Sequence, residues 1–217
     1  MHMKNAVIFI LAASVACAVA IPVGAPPGAG ICANFTYAKE KTQATLDTTR
    51  YAGVWFEQGR SKNFIFDHDC YCTTANYTLE DGYIGVANRC RKGSVTGDLT
   101  GPTHGKATCP DPKYFTPLCI QPLVRSLHSR YPAFLEVEFS AFSPKGVYEI
   151  AMTDYDNYSI IFSCSSTPIF GGSLVWVVTR SNVIDDSNWT NLVHQASNFG
   201  LDMSDIVRTQ QVGCASV

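Results

Sequence analysis

Charge is scarce in this sequence. Asp, Glu, Lys and Arg make up 16% of its 217 residues, and the formal net charge is -2. No run of Lys or Arg forms a basic stripe, so nucleic acid is not an expected partner. Beyond the N-terminus no apolar run approaches the ~20 residues that a helix needs to cross a bilayer core, so no transmembrane segment is expected. Zinc-finger spacing is missing too. Cys70-Tyr71-Cys72 has one intervening residue and no second Cys or His pair follows at the right distance, so no metal is expected. There is no internal repeat, no phosphate loop, no Ser/His/Asp nucleophile signature and no acidic pair set for hydrolysis. The expectation is that the chain is not an enzyme and needs no cofactor. His68, His104, His128 and His194 are scattered and read as surface residues.

The N-terminus carries Lys4, an apolar run from Ala6 to Val15, and the small-residue site Ala18-Val19-Ala20. That order reads as a secretory signal peptide over 1–20. The Pro-, Gly- and Ala-rich stretch behind it is expected to be a flexible lead-in over 21–31, with one domain over 32–217. Removal of Cys17 with the signal leaves Cys32, Cys70, Cys72, Cys90, Cys109, Cys119, Cys164 and Cys214. An even count in a secreted, extracellular chain implies disulfides. Sequons at Asn34, Asn76, Asn157 and Asn188 are candidate glycosylation sites.

Short apolar or alternating runs separated by turns recur along the chain. They cover Val54 to Arg60, Thr74 to Leu79, Tyr83 to Arg89, Thr103 to Thr108, Leu135 to Phe139, Val147 to Thr153, Tyr158 to Cys164 and Leu174 to Arg180. Asp81-Gly82 between the second and third is a hairpin signal of the type I′ kind, with positive φ at both central positions. Eight such strands predict an all-β fold, an up-and-down antiparallel barrel or sandwich. From Asp185 to Phe199 the period changes. Trp189, Leu192, Val193 and Ala196 share one helical face, Asp185 or Asp186 can cap the start, and Gly200 stops it. A short strand over 205–210 is expected after this helix.

Three motifs in this order resemble the lipocalin family, in its apolipoprotein D-like and bilin-binding branch. They are Gly53-Val54-Trp55 at the start of the first strand, Thr153-Asp154-Tyr155 in a turn, and Arg180 closing the eighth strand. The resemblance implies an eight-stranded barrel with one C-terminal α-helix packed on it, and a closed end where these segments meet. Trp55 then plugs the base, Arg180 lies over its ring, Gly53 permits close passage and Asp154 accepts backbone N–H bonds. The resemblance also implies bridges Cys72–Cys214 and Cys32–Cys164. Cys70, Cys90, Cys109 and Cys119 depart from the family pattern and allow three pairings, of which Cys109–Cys119 with Cys70–Cys90 is favoured. The link from Cys109 to Tyr131, at the closed end, is longer than the family's usual one and reads as a stapled loop or a partner surface.

A barrel of this size has room for one small ligand. Asn76, as a sequon residue, should face solvent, which turns Ala75, Tyr77 and Leu79 inward, with Ile84, Val86 and Asn88 across the hairpin. On the fifth strand Leu135, Val137 and Phe139 face in, and on the eighth Trp176, Val178 and Arg180. Tyr77, Val86, Asn88, Val137, Phe139, Trp176 and Val178 are thus the candidate ligand contacts. Asn88 and Tyr77 can orient a polar end. No buried charge pair is evident, which favours a ligand that is neutral or keeps its charge at the mouth. The expected function is carriage of a small hydrophobic molecule or pigment, with fatty acid, sterol, retinoid, carotenoid and bilin all open. The alternatives are an interaction or inhibitor type acting through loops, with a receptor or a homo-oligomer as partner, and an isomerase using Cys90 as an inward-facing cavity thiol.

Overall fold

The structure, a computed structural model, describes residues 46–108, 130–131, 133–140, 145–165 and 172–214. The expected signal peptide, the lead-in, the start of the domain, Cys32, Asn34, Cys109 and Cys119 lie outside these residues. So does most of the long 109–131 link.

The chain enters with a two-residue strand β1 (Leu46–Asp47) and a single turn of helix α1 (Thr48–Tyr51) capped by the Asp47 carboxylate. Eight strands follow: β2 (Gly53–Ser61), β3 (Cys70–Leu79), β4 (Ile84–Lys92), β5 (Leu99–Thr108), then, beyond β6 (Arg130–Tyr131), β7 (Phe134–Glu138), β8 (Gly146–Thr153), β9 (Tyr158–Ser165) and β10 (Gly172–Thr179). Each of the eight pairs antiparallel with the next, and β10 pairs back onto β2, so the sheet closes into a barrel. β6 pairs with β1 outside it. Closure joins the first of the eight strands to the last.

The β3–β4 register places Tyr77 opposite Val86 and Ala75 opposite Asn88. Its turn differs from the expected type. Gly82 has φ +89°, but Asp81 is not in the left-handed region, so a single positive φ, supplied by glycine, suffices. Two strands start earlier than their alternation suggests. β3 begins at Cys70 because a bulge between Tyr71 and Thr74 interrupts its pattern, with Cys72 at φ +55°. β5 begins at Leu99 because the register shifts opposite Asn88 to Cys90, where Gly101 and Pro102 are accommodated.

Alternation sorts side chains between two cores. Trp55, Tyr77, Ile84, Val86, Ala107, Leu135, Val137, Ile150, Ile161 and Val178 form the interior cluster. Ala151, Ile160, Phe162 and Val175 point the other way, beneath helix α2 (Asp186–Phe199), and meet its Ala196. The Asp185 carboxylate caps α2 on the N–H of Asn188, and Gly200 ends it at φ +108°. Trp189 of α2 lies so close to Gly59 that a Cβ there would sit 2.5 Å from its ring. No helix of the described residues is long and apolar enough to cross a membrane.

After α2, β11 (Ile206–Arg208) pairs with the far half of β2. The chain then runs on between β2 and β3. Thr209 N–H donates to the Gln58 carbonyl, Cys72 N–H donates to that of Gln210, and the Gln211 amide bridges the carbonyls of Glu57 and Thr73 at 2.7 and 2.9 Å. A disulfide joins Cys72 to Cys214 just beyond.

Candidate ligand-binding site

One end of the barrel is sealed by Arg180. Its guanidinium carbon lies 3.8 Å from the Trp55 ring centroid, and its N–H groups donate to the carbonyls of Arg50, Tyr51, Ala52, Val54 and Tyr155. Trp55, fully buried, donates its indole N–H to the Tyr51 carbonyl at 2.9 Å. Gly53 has φ +101° and passes so near Arg180 that a Cβ would come within 3.3 Å of a guanidinium nitrogen. Asp154 accepts the N–H groups of Asn157 and Tyr158, and Thr153 Oγ1 accepts that of Tyr155. Partial burial opposes the Asp154 charge, but the hydrogen bonds from Asn157 and Tyr158 outweigh it and hold the carboxyl below its ordinary range. Five carbonyls and one aromatic face hold Arg180 in place, so its work is structural.

Inside, above this plug, lies a group of hydroxyls. Tyr51 bonds Ser159 at 3.0 Å and Tyr77 bonds Tyr148. Burial pushes the Tyr77 phenol up to about 12 and raises those of Tyr51 and Tyr148 well above their ordinary value, so all three stay protonated. Ile150, Ile161, Val86, Val137 and Val178 supply the apolar walls.

Toward the other end the interior is charged, contrary to the expectation of no buried pair. Arg60 donates to Glu57 at 2.8 Å, with both side chains almost wholly buried, and Thr209 adds its hydroxyl to the same pair. Period-two alternation puts Glu57 on the face of Trp55 but would turn Arg60 outward. A bulge at Gln58, where β10 shifts from Val178–Glu57 to Val177–Gly59, turns it back. Burial pushes the Glu57 carboxyl up to about 7 against the opposing pull of Arg60. Arg60 also donates to the Asp67 carbonyl in the β2–β3 connection. Two buried polar atoms of the interior, Thr73 Oγ1 and Asn88 Oδ1, have no hydrogen-bond partner among the described residues.

The sequence-derived contacts divide by depth. Tyr77, Val86, Val137 and Val178 are buried within the interior cluster. Asn88 and Trp176 are half-buried, and Trp176 meets Phe64 edge-on at 5.0 Å. Phe139 does not sit within. It lies one residue past β7, is 43% exposed, and spreads over Gly105, where a Cβ would meet its ring at 2.9 Å. It belongs to the rim. Tyr51, Tyr148, Glu57, Arg60 and Thr73 were not anticipated as interior polar groups. Alternation from Trp55 points to Glu57, and alternation along β8 places Tyr148 with Ile150.

Cys90 is joined to Cys70. A sulfur in a disulfide is no nucleophile, so the cavity-thiol isomerase reading falls. Of the sequons, Asn157 and Asn188 are exposed, each amide donating to a nearby carboxylate, and Asn76 is half-buried on the outward face of β3. A cleft of about 300 Å³ lies outside the barrel between the start of α2 and the C-terminal segment, lined by Gln58, Val183, Arg208, Thr209, Gln211 and Val212. Its amide and hydroxyl groups at Gln58, Thr209 and Gln211 already have partners. Thr73 Oγ1 and Asn88 Oδ1 in the barrel, by contrast, have none among the described residues.

Residues 46–211 match the family described as lipocalin-like domain. Lazarillo protein of Schistocerca americana is 27% identical over 168 residues, covering 76% of this chain and 70% of that protein. Apolipoprotein D of Mus musculus is 27% identical over 175 residues, covering 79% and 80%. Among solved structures, insecticyanin from the tobacco hornworm Manduca sexta superposes with a TM-score of 0.56 at 20% identity, covering 78% of this chain and 83% of that one.

Proposed function

Since the chain belongs to the lipocalin-like domain family, we propose that it is an extracellular, non-enzymatic carrier holding one small hydrophobic molecule inside the barrel. One observation carries the reading. Ala75, Asn88, Tyr148 and Trp176 point inward yet are half-buried, whereas a filled core would bury them. The surroundings are those of a ligand site, mostly aliphatic and aromatic, with a few polar groups at set places. Two disulfides favour an oxidising, secreted setting.

Native mass spectrometry with lipid extraction of the protein from a secreting host tests this. The expected result is a co-purifying hydrophobic molecule that is lost in Trp176→Glu. A barrel with no bound mass, and no quenching of tryptophan fluorescence across retinoids, fatty acids, sterols and bilins, refutes the carrier and leaves recognition through the loops as the function.

A further inference from the structure

Tyr77 and Tyr148 pair hydroxyl to hydroxyl inside the barrel, and Tyr51 and Ser159 form a second such pair. Two paired hydroxyls hold two O–H donors but make only one link. That link uses one donor, so one O–H of each pair is left over whichever way the pair is polarised. Among the described residues no carbonyl or carboxylate accepts it. The phenols remain protonated, so ionisation does not remove the extra donor.

The surroundings favour one direction. The Arg180 guanidinium lies beside Tyr51 and Tyr77 at the sealed end and acts on both electrostatically. A fixed cation attracts hydroxyl oxygens and repels their hydrogens, which turns O–H dipoles away from the base. Tyr51 and Ser159 are almost fully enclosed, whereas Tyr148 keeps accessible surface. The accessible free donor is therefore that of the Tyr77–Tyr148 pair.

Resting on the carrier reading, we infer that the cargo is an oxygenated apolar molecule whose buried end places a neutral hydrogen-bond acceptor, a carbonyl or ether oxygen, against the Tyr77 and Tyr148 hydroxyls. A plain hydrocarbon end would leave a buried donor unsatisfied. A carboxylate end would be a buried anion with no free cation beside it, because Arg180 is already committed to five carbonyls.

The test compares androst-4-en-3-one with androst-4-ene, which share a skeleton and differ in the ketone. Tryptophan quenching gives both dissociation constants, for the wild type and for Tyr77→Phe/Tyr148→Phe. The ketone-over-hydrocarbon preference is expected to drop by about fivefold or more in the variant. The readout is the ratio of the two constants, so a packing change that moves both affinities alike cancels. The bound ketone's carbonyl stretch should lie at lower wavenumber in the wild type than in hydrocarbon solvent. An equal preference in both proteins overturns the inference and leaves the carrier standing. Should the variant fail to fold, an unshifted carbonyl stretch in the wild type overturns it by itself. If neither probe binds the wild type, the carrier reading fails and takes this inference with it.

Discussion

Glu57 and Arg60 sit three residues apart on one strand and still form an ion pair at 2.8 Å, because the bulge at Gln58 lets both face the interior. The pair has a titration signature. Burial, opposed by Arg60, raises the folded-state carboxyl to about 7 from its ordinary 4.5. Between these values the folded protein holds a proton that the unfolded chain has released. The stabilisation is present in full below the ordinary value and is lost as pH rises through about 7. Urea midpoints should fall between pH 5 and pH 8 in the wild type. Glu57→Gln, which keeps the neutral form at every pH, should flatten that slope. A slope unchanged in the variant would assign the pH dependence elsewhere.

Arg180→Ala should cost about 2–4 kcal/mol, since it orphans several carbonyls at once and uncovers the Trp55 face. Arg180→Lys should recover only a minor part, because an ammonium cannot reach five acceptors in one plane. Chemical denaturation checks the size. A double cycle with Trp55→Phe isolates the ring contact, for which coupling of roughly 0.5–2 kcal/mol is expected.

Gly59→Ala tests how α2 is seated. Its new methyl would meet the Trp189 ring at 2.5 Å and the Val207 carbonyl oxygen at 2.8 Å, and backbone cannot yield as a flexible side chain can. The expected penalty is about 1–3 kcal/mol, with a shift in Trp189 emission. Gly82→Ala, with nothing within 4 Å of the added Cβ but φ at +89°, should cost only about 1 kcal/mol from backbone strain. Equal losses at the two sites would mean that the packing at Gly59 is softer than its geometry.

The two disulfides should differ in worth. Cys72–Cys214 closes 142 residues and Cys70–Cys90 closes 20. Loop-closure entropy assigns roughly 5 kcal/mol to the first and about 3 to the second. Paired Cys→Ala variants, compared by thermal denaturation, should keep that order. The first pair should also lower protection of the Cys72 amide, whose acceptor is the Gln210 carbonyl.

Much of the architecture is readable from the sequence. The eight strands, the helix between Asp185 and Gly200, and the meeting of Gly53, Trp55 and Arg180 all follow from alternation, capping chemistry and spaced motifs. What is not readable depends on irregularity. Alternation assigns Glu57 to the interior, but only the bulge at Gln58 brings Arg60 to it, and bulges leave little trace in sequence. β5 is truncated in prospect because Gly101-Pro102 reads as a break, whereas opposite a bulge it is tolerated. Phe139 obeys the parity of Val137 yet lies beyond the last paired residue of its strand, where parity says nothing of depth. The hydroxyl pairs bring Tyr51, in a turn of helix, to Ser159 and Tyr77 to Tyr148, across three strands, a convergence that only the closed barrel creates.

The segment from Thr209 to Cys214 is wedged between two strands laid down early, and a staple to Cys72 secures it. Synthesis runs from β2 toward that segment, so the wall next to β2 stays incomplete until the ribosome has released Cys214. During that interval the backbone groups of Glu57 and Thr73 that later bind Gln211 are open to strands of other nascent chains. A molecule that has oxidised Cys72 onto Cys214 has therefore also completed the wall beside β2.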